Sequence, residues 1–417
     1  MSSDPTLNAV ELFVLLVTAA ALVALVAHRL SLPYSFVLVV LGLVIAAIGP
    51  AHAIEITPQL VLVVLVPGLV FEAAYRLDVV ELRRTFLGVA ILAVPGVVIS
   101  AGTVALVLSA TGLPLQLAFI VGAITSATDP ASVVSTFKAL RAPRGLATLV
   151  EAESLFNDGT AIVVFGIALG ALATPISPLE AIASFTGTVV VSTIIGLVFG
   201  IVATRLMLVA GDHLVELTIS LALAYGTYLA ADQLRESGII ATVVAGLVLG
   251  TYGRRIGLPE STFTALDTVW EFAAFLLTAL VFLLIGLAIT FGQLVDDAGA
   301  IALGVVGILV GRAIVVYGVL GGAGSLIRAS RRGPPIRLSW LHILFWAGQR
   351  GAIAVALALS LPPDVPERTH LQGIVFGITL FTLLVQGATT ERVLHRLGLA
   401  EHGPTAHPPE DRDREPA

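Results

Sequence analysis

Two aspartates stand inside apolar stretches: Asp129 in TSATDPASVVS (125–135) and Asp158 in EAESLFNDGTAIVVF (151–165). A carboxylate at bilayer depth costs from about 2.5 kcal/mol to over ~10 kcal/mol depending on the scale, and such acids mark places where ions or protons are handled. The residues around Asp158 are of the types that bind a hard cation. Positions four apart share a helix face, so Ser154 sets a hydroxyl beside the Asp158 carboxylate, while Glu153 stacks with Asn157 on the adjoining stripe. Thr128 adds a hydroxyl, or a backbone carbonyl freed by a broken helix, and Asp129 adds a second carboxylate. Thr128, Asp129, Ser154 and Asp158 are therefore the candidate ligands for a monovalent cation or a proton. Glu153 and Asn157 read as organising residues, and Glu153 at that depth calls for a cationic partner. Arg312, in the middle of a later apolar stretch, is the candidate; the alternative is that Arg312 only donates to backbone carbonyls.

A site drawn from two stretches needs elements that bring them together. Asp followed by Pro is the chemistry of an N-cap and a first helical position. Thr128-Asp129-Pro130 thus reads as an interruption at which Asp129 caps a second half-helix and faces its positive end. Gly348-Gln349-Arg350-Gly351 reads as a second interruption, with Arg350 near the carbonyl ends of its own broken span. The simpler alternative, a kink at Pro130 with snorkelling charges, is disfavoured because both charges lie too deep to snorkel.

With 57% hydrophobic and 12% charged residues and a mean hydropathy of +1.01, the chain lies far from the roughly 25% charged composition of soluble domains. Apolar runs long enough to span fall near 8–27, 33–50, 59–76, 86–109, 115–137, 147–173, 180–208, 214–232, 238–252, 268–291, 298–322, 338–360 and 370–391. Basic residues concentrate in cytoplasmic loops. Of the 22 here, 18 fall on one side of these thirteen spans, two (Arg235 and Arg368) on the other, and Arg312 and Arg350 inside spans. The N-terminus is therefore expected outside and the C-terminus inside, in a bacterial-type inner (plasma) membrane. No basic region precedes the first apolar run, which argues for a true first span rather than a cleaved signal peptide.

Lys138 is the only lysine and follows Phe137, whereas a Walker A loop needs Gly before its Lys. No nucleotide, nucleic acid or cofactor is expected as a partner, and the absence of cysteine excludes disulfides and thiolate metal sites. A transporter of this kind would be driven by an ion gradient, and such proteins are often built from inverted repeats with discontinuous helices at matching places. The expected fold class is an all-α polytopic membrane protein of about thirteen transmembrane helices. Spans 1–6 and 8–13 form two inverted six-helix repeats, with discontinuous helices 5 and 12.

The run GAITSATDPASVVSTFKALRAPRGLATLVEAESLFNDGTAIVVF (122–165) resembles the core of monovalent cation/proton antiporters of the NhaP and sodium/hydrogen-exchanger type. VFEAAYRLD (70–78), WEFAAFLLTALVFLLIGL (270–287), GRAIVVYG (311–318) and WAGQRGAIAVALALSLP (346–362) agree with it. The resemblance implies that Asp158 binds ion and proton, that Thr128, Asp129 and Ser154 complete the site, and that Glu153, Asn157 and an arginine hold it together. It further implies a homodimer in the lipid bilayer. Residues 1–83 and 212–295 would be scaffold and dimerisation helices, 84–176 and 296–396 a moving ion-transport core, 177–211 a linking helix, and 397–417 a disordered cytoplasmic tail. Gln349 departs from the pattern, in which an apolar residue often precedes the arginine, and could bear on ion preference. A carboxylate out of water favours its protonated form and a neighbouring cation favours the ionised one, so proton and cation compete for Asp158. Relatives with paired aspartates on span 6 and an intramembrane lysine exchange electrogenically. This chain has Asn157 before Asp158 and no lysine in its spans, so electroneutral exchange of one cation for one proton is expected. Na⁺ is the expected ion, with Li⁺ or K⁺ open. The rival function is a cation channel without proton coupling, for which no pore element such as TVGYG is present.

Other features carry less. The histidines at 28, 52, 213, 342, 370, 395, 402 and 407 read as interfacial or solvated. The pairs Gly166/Gly170, Gly196/Gly200, Gly246/Gly250 and Gly307/Gly311 are expected to mark close helix contacts. Glu72 and Glu271 could line an ion funnel or anchor the interface.

Overall fold

The computed structural model describes residues 34–48, 57–140, 142–289, 291–322 and 337–399, with 14, 17–19, 21–23 and 25. Most of the expected first span, the tail from 400, His28, His52, His402, His407 and the loop arginines at 29, 141, 328, 331, 332, 412 and 414 lie outside the described residues. Those described are all-helical. The first helix described from end to end is α1 (Tyr34–Ile48), followed by α2 (Val66–Arg76) and α3 (Val79–Ser109). The fifth span is α4 (Leu115–Ser126) plus α5 (Ala131–Ala139). Then come α6 (Arg144–Ala173), α7 (Pro178–Ala210), α8 (His213–Gln233), α9 (Gly238–Ile256), α10 (Glu260–Ala288) and α11 (Ala298–Leu320). The twelfth span is α12 (Leu338–Trp346) plus α13 (Ala352–Leu359), and α14 (Arg368–Arg396) closes the order. Eight of these are long and apolar enough to cross a membrane.

Local chemistry explains the irregularities. Pro67 lacks an N–H and crowds the carbonyl four residues back, and a wide π turn, Leu60–Leu65, precedes α2. Pro95 bends α3 at Val94. Asp78 caps α3 through the N–H groups of Val80 and Glu81. Asp212 caps α8 in the same way, and the N–H groups of Val215 and Leu214 hold its carboxyl below the usual carboxylate range. The boundaries expected at 86 and 268 are corrected to Val79 and Glu260. A hydropathy window detects only the apolar part of a helix, and both helices continue through polar turns beyond it.

The contacts follow the repeat. Under the relation that carries spans 1–6 onto 8–13, α1 on α10 becomes α9 on α2, α3 on α6 becomes α11 on α14, and α3 on α11 maps onto itself; all these pairs are in contact. Small residues let the backbones close. A Cβ on Gly42 of α1 would lie 2.9 Å from Gly286 Cα of α10, and one on Gly246 of α9 would lie 2.9 Å from Phe71 O of α2. Gly196 and Gly200 meet α9, and Gly307 and Gly311 meet α3, as expected. Gly166 and Gly170 do not: among the described residues, nothing lies within 4 Å of a Cβ placed on either. Spacing alone does not show which face of a helix packs.

Candidate functional site

Backbone sterics make the first interruption. A residue before proline is biased away from the helical region, which favours a break at Asp129-Pro130. Ala127 is already extended at ψ 135° and the helix resumes at Ala131. Two glycines, poor helix formers, flank Gln349-Arg350 in the second interruption, where Gly351 is extended at φ −143°, ψ −141°. The two breaks meet. The Asp129 N–H donates to Gln349 O at 2.8 Å, and Arg350 Nη1 donates to Ser126 O and Ala127 O at 3.2 and 3.3 Å. Arg350, only 1% exposed, therefore neutralises the carbonyl end of α4. This corrects the expectation that it serves its own span. Spacing along one chain cannot reveal that the partner carbonyls belong to the other broken helix.

Each break is anchored on the last span of its own repeat by a main-chain N–H. Thr128 N–H donates to Asn157 Oδ1 on α6 at 3.2 Å, and Arg350 N–H donates to Thr382 Oγ1 on α14 at 3.0 Å. Asn157 Nδ2 donates to Thr128 Oγ1 at 2.7 Å and to Glu153 Oε1 at 3.3 Å. Ser154 Oγ donates to Thr128 O at 2.5 Å. Glu153 and Arg312 form a bidentate pair at 2.5 and 2.8 Å, and Arg312 Nε and Nη2 also donate to Leu344 O at 3.1 and 2.8 Å. The two alternatives for Arg312 hold together: it pairs with the acid and binds a backbone carbonyl.

Asp158 Oδ1 is buried and has no hydrogen-bond partner among the described residues. It lines a cavity of about 450 Å³ together with Thr128, Asp129 and Ser154. All eight residues singled out from the sequence converge, four on the cavity and four in the network behind it. The same cavity reaches Glu72, Arg76 and Glu271. Arg76 bridges Glu72 at 3.2 Å and Glu271 at 3.0 Å, with Asp267 at 3.8 Å. Sequence reading left Glu72 and Glu271 undecided and missed Arg76 and Asp267. The four-residue spacing of Glu72 and Arg76 was the available signal. Among the histidines, His370 pairs with Asp297 and His342 shares a hydrogen bond with Tyr317; neither lines this cavity.

Gly351 holds the crossing tight. An ideal Cβ there would lie 2.6 Å from Asp129 Cγ, so the neighbouring carboxylate must move to admit a methyl group. Misplacing a reacting group by about 1 Å can cost up to about a hundredfold in rate. Gly351→Ala is expected to cut transport by about tenfold or more, measured per reconstituted protein, while the protein still elutes as one species. A wild-type rate would show that Asp129's placement is not critical.

An all-helical membrane chain whose two broken helices cross beside a buried carboxylate has the architecture of a secondary ion transporter. Residues 15–396 match the family model described as sodium/hydrogen exchanger, transmembrane. The chain belongs to that family. It is 39% identical over 373 residues to the low-affinity Na⁺/H⁺ antiporter NhaS1 of Synechocystis sp., covering 88% of this chain and 70% of that protein. It is 36% identical to the Na⁺/H⁺ antiporter NhaH of Halobacillus aidingensis, covering 94% and 98%. Its fold is similar to that of the sodium proton antiporter MjNhaP1 of Methanocaldococcus jannaschii, with a TM-score of 0.77, 22% identity, and 94% and 98% of the two chains covered.

Proposed function

We propose that this chain exchanges a monovalent cation, Na⁺ before Li⁺ or K⁺, for a proton by alternating access, one for one, with both competing for Asp158. One observation carries the reading. Asp129 and Asp158 line the cavity, and Glu153, Arg312 and Arg350 lie in the network behind it. Three carboxylates against two guanidiniums leave one negative charge, which either one proton or one monovalent cation cancels. Both loaded forms then have the same charge, and neither is penalised by the membrane potential. Asp158 lines the cavity and has an oxygen with no hydrogen-bond partner among the described residues, so it is the group that changes partner. Thr128, Ser154 and Asp129 complete the cation shell, and Glu153, Asn157, Arg312 and Arg350 keep it in register.

The rest of the reading follows from the charge pattern and the family. The cavity mouth at Glu72, Arg76 and Glu271 faces the cytoplasm of a bacterial-type inner membrane, with the N-terminus outside. Residues 84–176 and 296–396 form the moving core. Residues 1–83 and 212–295 form the scaffold and the homodimer interface, joined to the core by 177–211. The chain acts as a transporter and not as an enzyme.

Competition has a pH signature with a fixed sign. As pH falls, protons hold more of Asp158, so more cation is needed, approaching about a tenfold rise in half-saturating Na⁺ per pH unit on the acid side. Sealed proteoliposomes given Na⁺, Li⁺ or K⁺ in turn and followed by a pH dye test this. The expected result is cation-driven proton movement with that acid-side rise and a steady state indifferent to an imposed membrane potential. Cation flux insensitive to the proton gradient would indicate a channel, and a potential-dependent steady state would refute the one-for-one count.

A further inference from the structure

Gln349 is fully buried, and the network around Asp158 assigns its side chain nothing. Its backbone carbonyl accepts the Asp129 N–H at 2.8 Å, so the position of residue 349 sets that of Asp129. Its side chain reaches away from the cavity to α14. Nε2 approaches Thr390 Oγ1 at 3.4 Å, and Thr390 Oγ1 donates to Gln386 O at 2.7 Å. Oε1 rests against Gly387, 3.5 Å from where a Cβ would stand. Arg350 grips the same helix through Thr382. Residues 349 and 350 therefore hold α14 at positions 382 and 390, about two turns apart, across the wide π turn Thr382–Gly387. In the first repeat the matching break is tied to α6 by Asn157 and Ser154, both through Thr128.

Two amide oxygens on this seam, Gln349 Oε1 and Gln386 Oε1, are buried with no hydrogen-bond partner among the described residues. Gln386 is 1% exposed and sits one turn before Thr390 on the same strip of α14. Buried amide oxygens are rarely left unpaired.

We propose that Gln349 is a positioning residue: it ties the crossing of the broken helices to α14 and sets the place of Asp129. The consequence for cation affinity rests on the exchange reading above. Gln349→Met keeps the volume and removes the amide, a change a merely space-filling residue tolerates. Exchange is measured in everted vesicles over a Na⁺ series at several pH values, for wild type and Gln349→Met. The variant is expected to raise half-saturating Na⁺ by about fivefold, the scale of one lost buried hydrogen bond, and to displace the pH profile, with the maximal rate within about twofold. A wild-type Na⁺ curve and pH profile in Gln349→Met would overturn the positioning role. Hydrogen–deuterium exchange of the peptide carrying the Asp129 amide gives a readout independent of transport. It should quicken in Gln349→Met, and an unchanged rate would refute the inference even if wild type proved not to exchange cations for protons. Absence of exchange by wild type would sink the function proposal alone.

Discussion

Asp158→Asn is expected to abolish cation-driven collapse of a proton gradient in everted vesicles, for Na⁺, Li⁺ and K⁺ alike, without loss of folded protein. Asparagine matches the shape of aspartate but offers neither an exchangeable carboxyl proton nor a negative charge for a cation. Asp158 is 8% exposed and its Oδ1 has no hydrogen-bond partner among the described residues, so the fold gains little from its charge. Burying an ionised group without a partner is costly. The asparagine variant should therefore unfold at the same temperature or higher, while transport falls to the level of empty vesicles. Glu153, Asn157, Arg312 and Arg350 form their contacts without Asp158, so the network behind the site should survive. An unaltered proton response in this variant, measured with wild type alongside, would remove Asp158 from the centre of the mechanism.

Arg312→Ala is expected to have the largest effect on stability. The guanidinium makes two bonds to Glu153 and two to Leu344 O, and both side chains of the pair are nearly inaccessible, at 7% and 3%. Removing one partner of such a pair leaves an uncompensated charge and costs about 3–5 kcal/mol. Replacing both partners by apolar groups is often close to neutral. Thermal unfolding in detergent should show Arg312→Ala strongly destabilised and Glu153→Leu/Arg312→Leu recovering much of the loss. The double variant should still transport poorly, because Glu153 also holds Asn157, and Asn157 holds Thr128. Equal stability of the single variant and wild type would mean that the pair does not brace the site. A double variant no better than the single would assign the loss to the Leu344 carbonyl instead.

The two results separate chemistry from support. Asp158 is expected to matter for transport and little for folding, and Arg312 for folding first. The division follows from hydrogen bonding: Asp158 lines the cavity with one oxygen that has no hydrogen-bond partner among the described residues, whereas Glu153 is bonded to Arg312 and Asn157.

By itself the sequence determined where the helices must break and which side chains share a face. Asp129-Pro130 disfavours a continuous helix through local sterics, and two glycines around Gln349-Arg350 weaken the other span through their backbone freedom. The i, i+4 spacing put Ser154 with Asp158 and Glu153 with Asn157 before any three-dimensional information was needed. These are properties of neighbouring residues, and a string of letters carries them. Tertiary structure decided what meets across the bundle. Arg350 serves the carbonyl end of α4 and not that of its own span; Gly166 and Gly170 meet no helix among the described residues although their spacing matches pairs that do; and Arg76 joins Glu72 on α2 to Glu271 on α10 at the mouth of the cavity. Residues hundreds of positions apart leave no periodic trace in one chain, because their proximity depends on how whole helices pack. The two aspartates were legible as a site; the crossing that brings Asp129 against Gln349 and Gly351 was not.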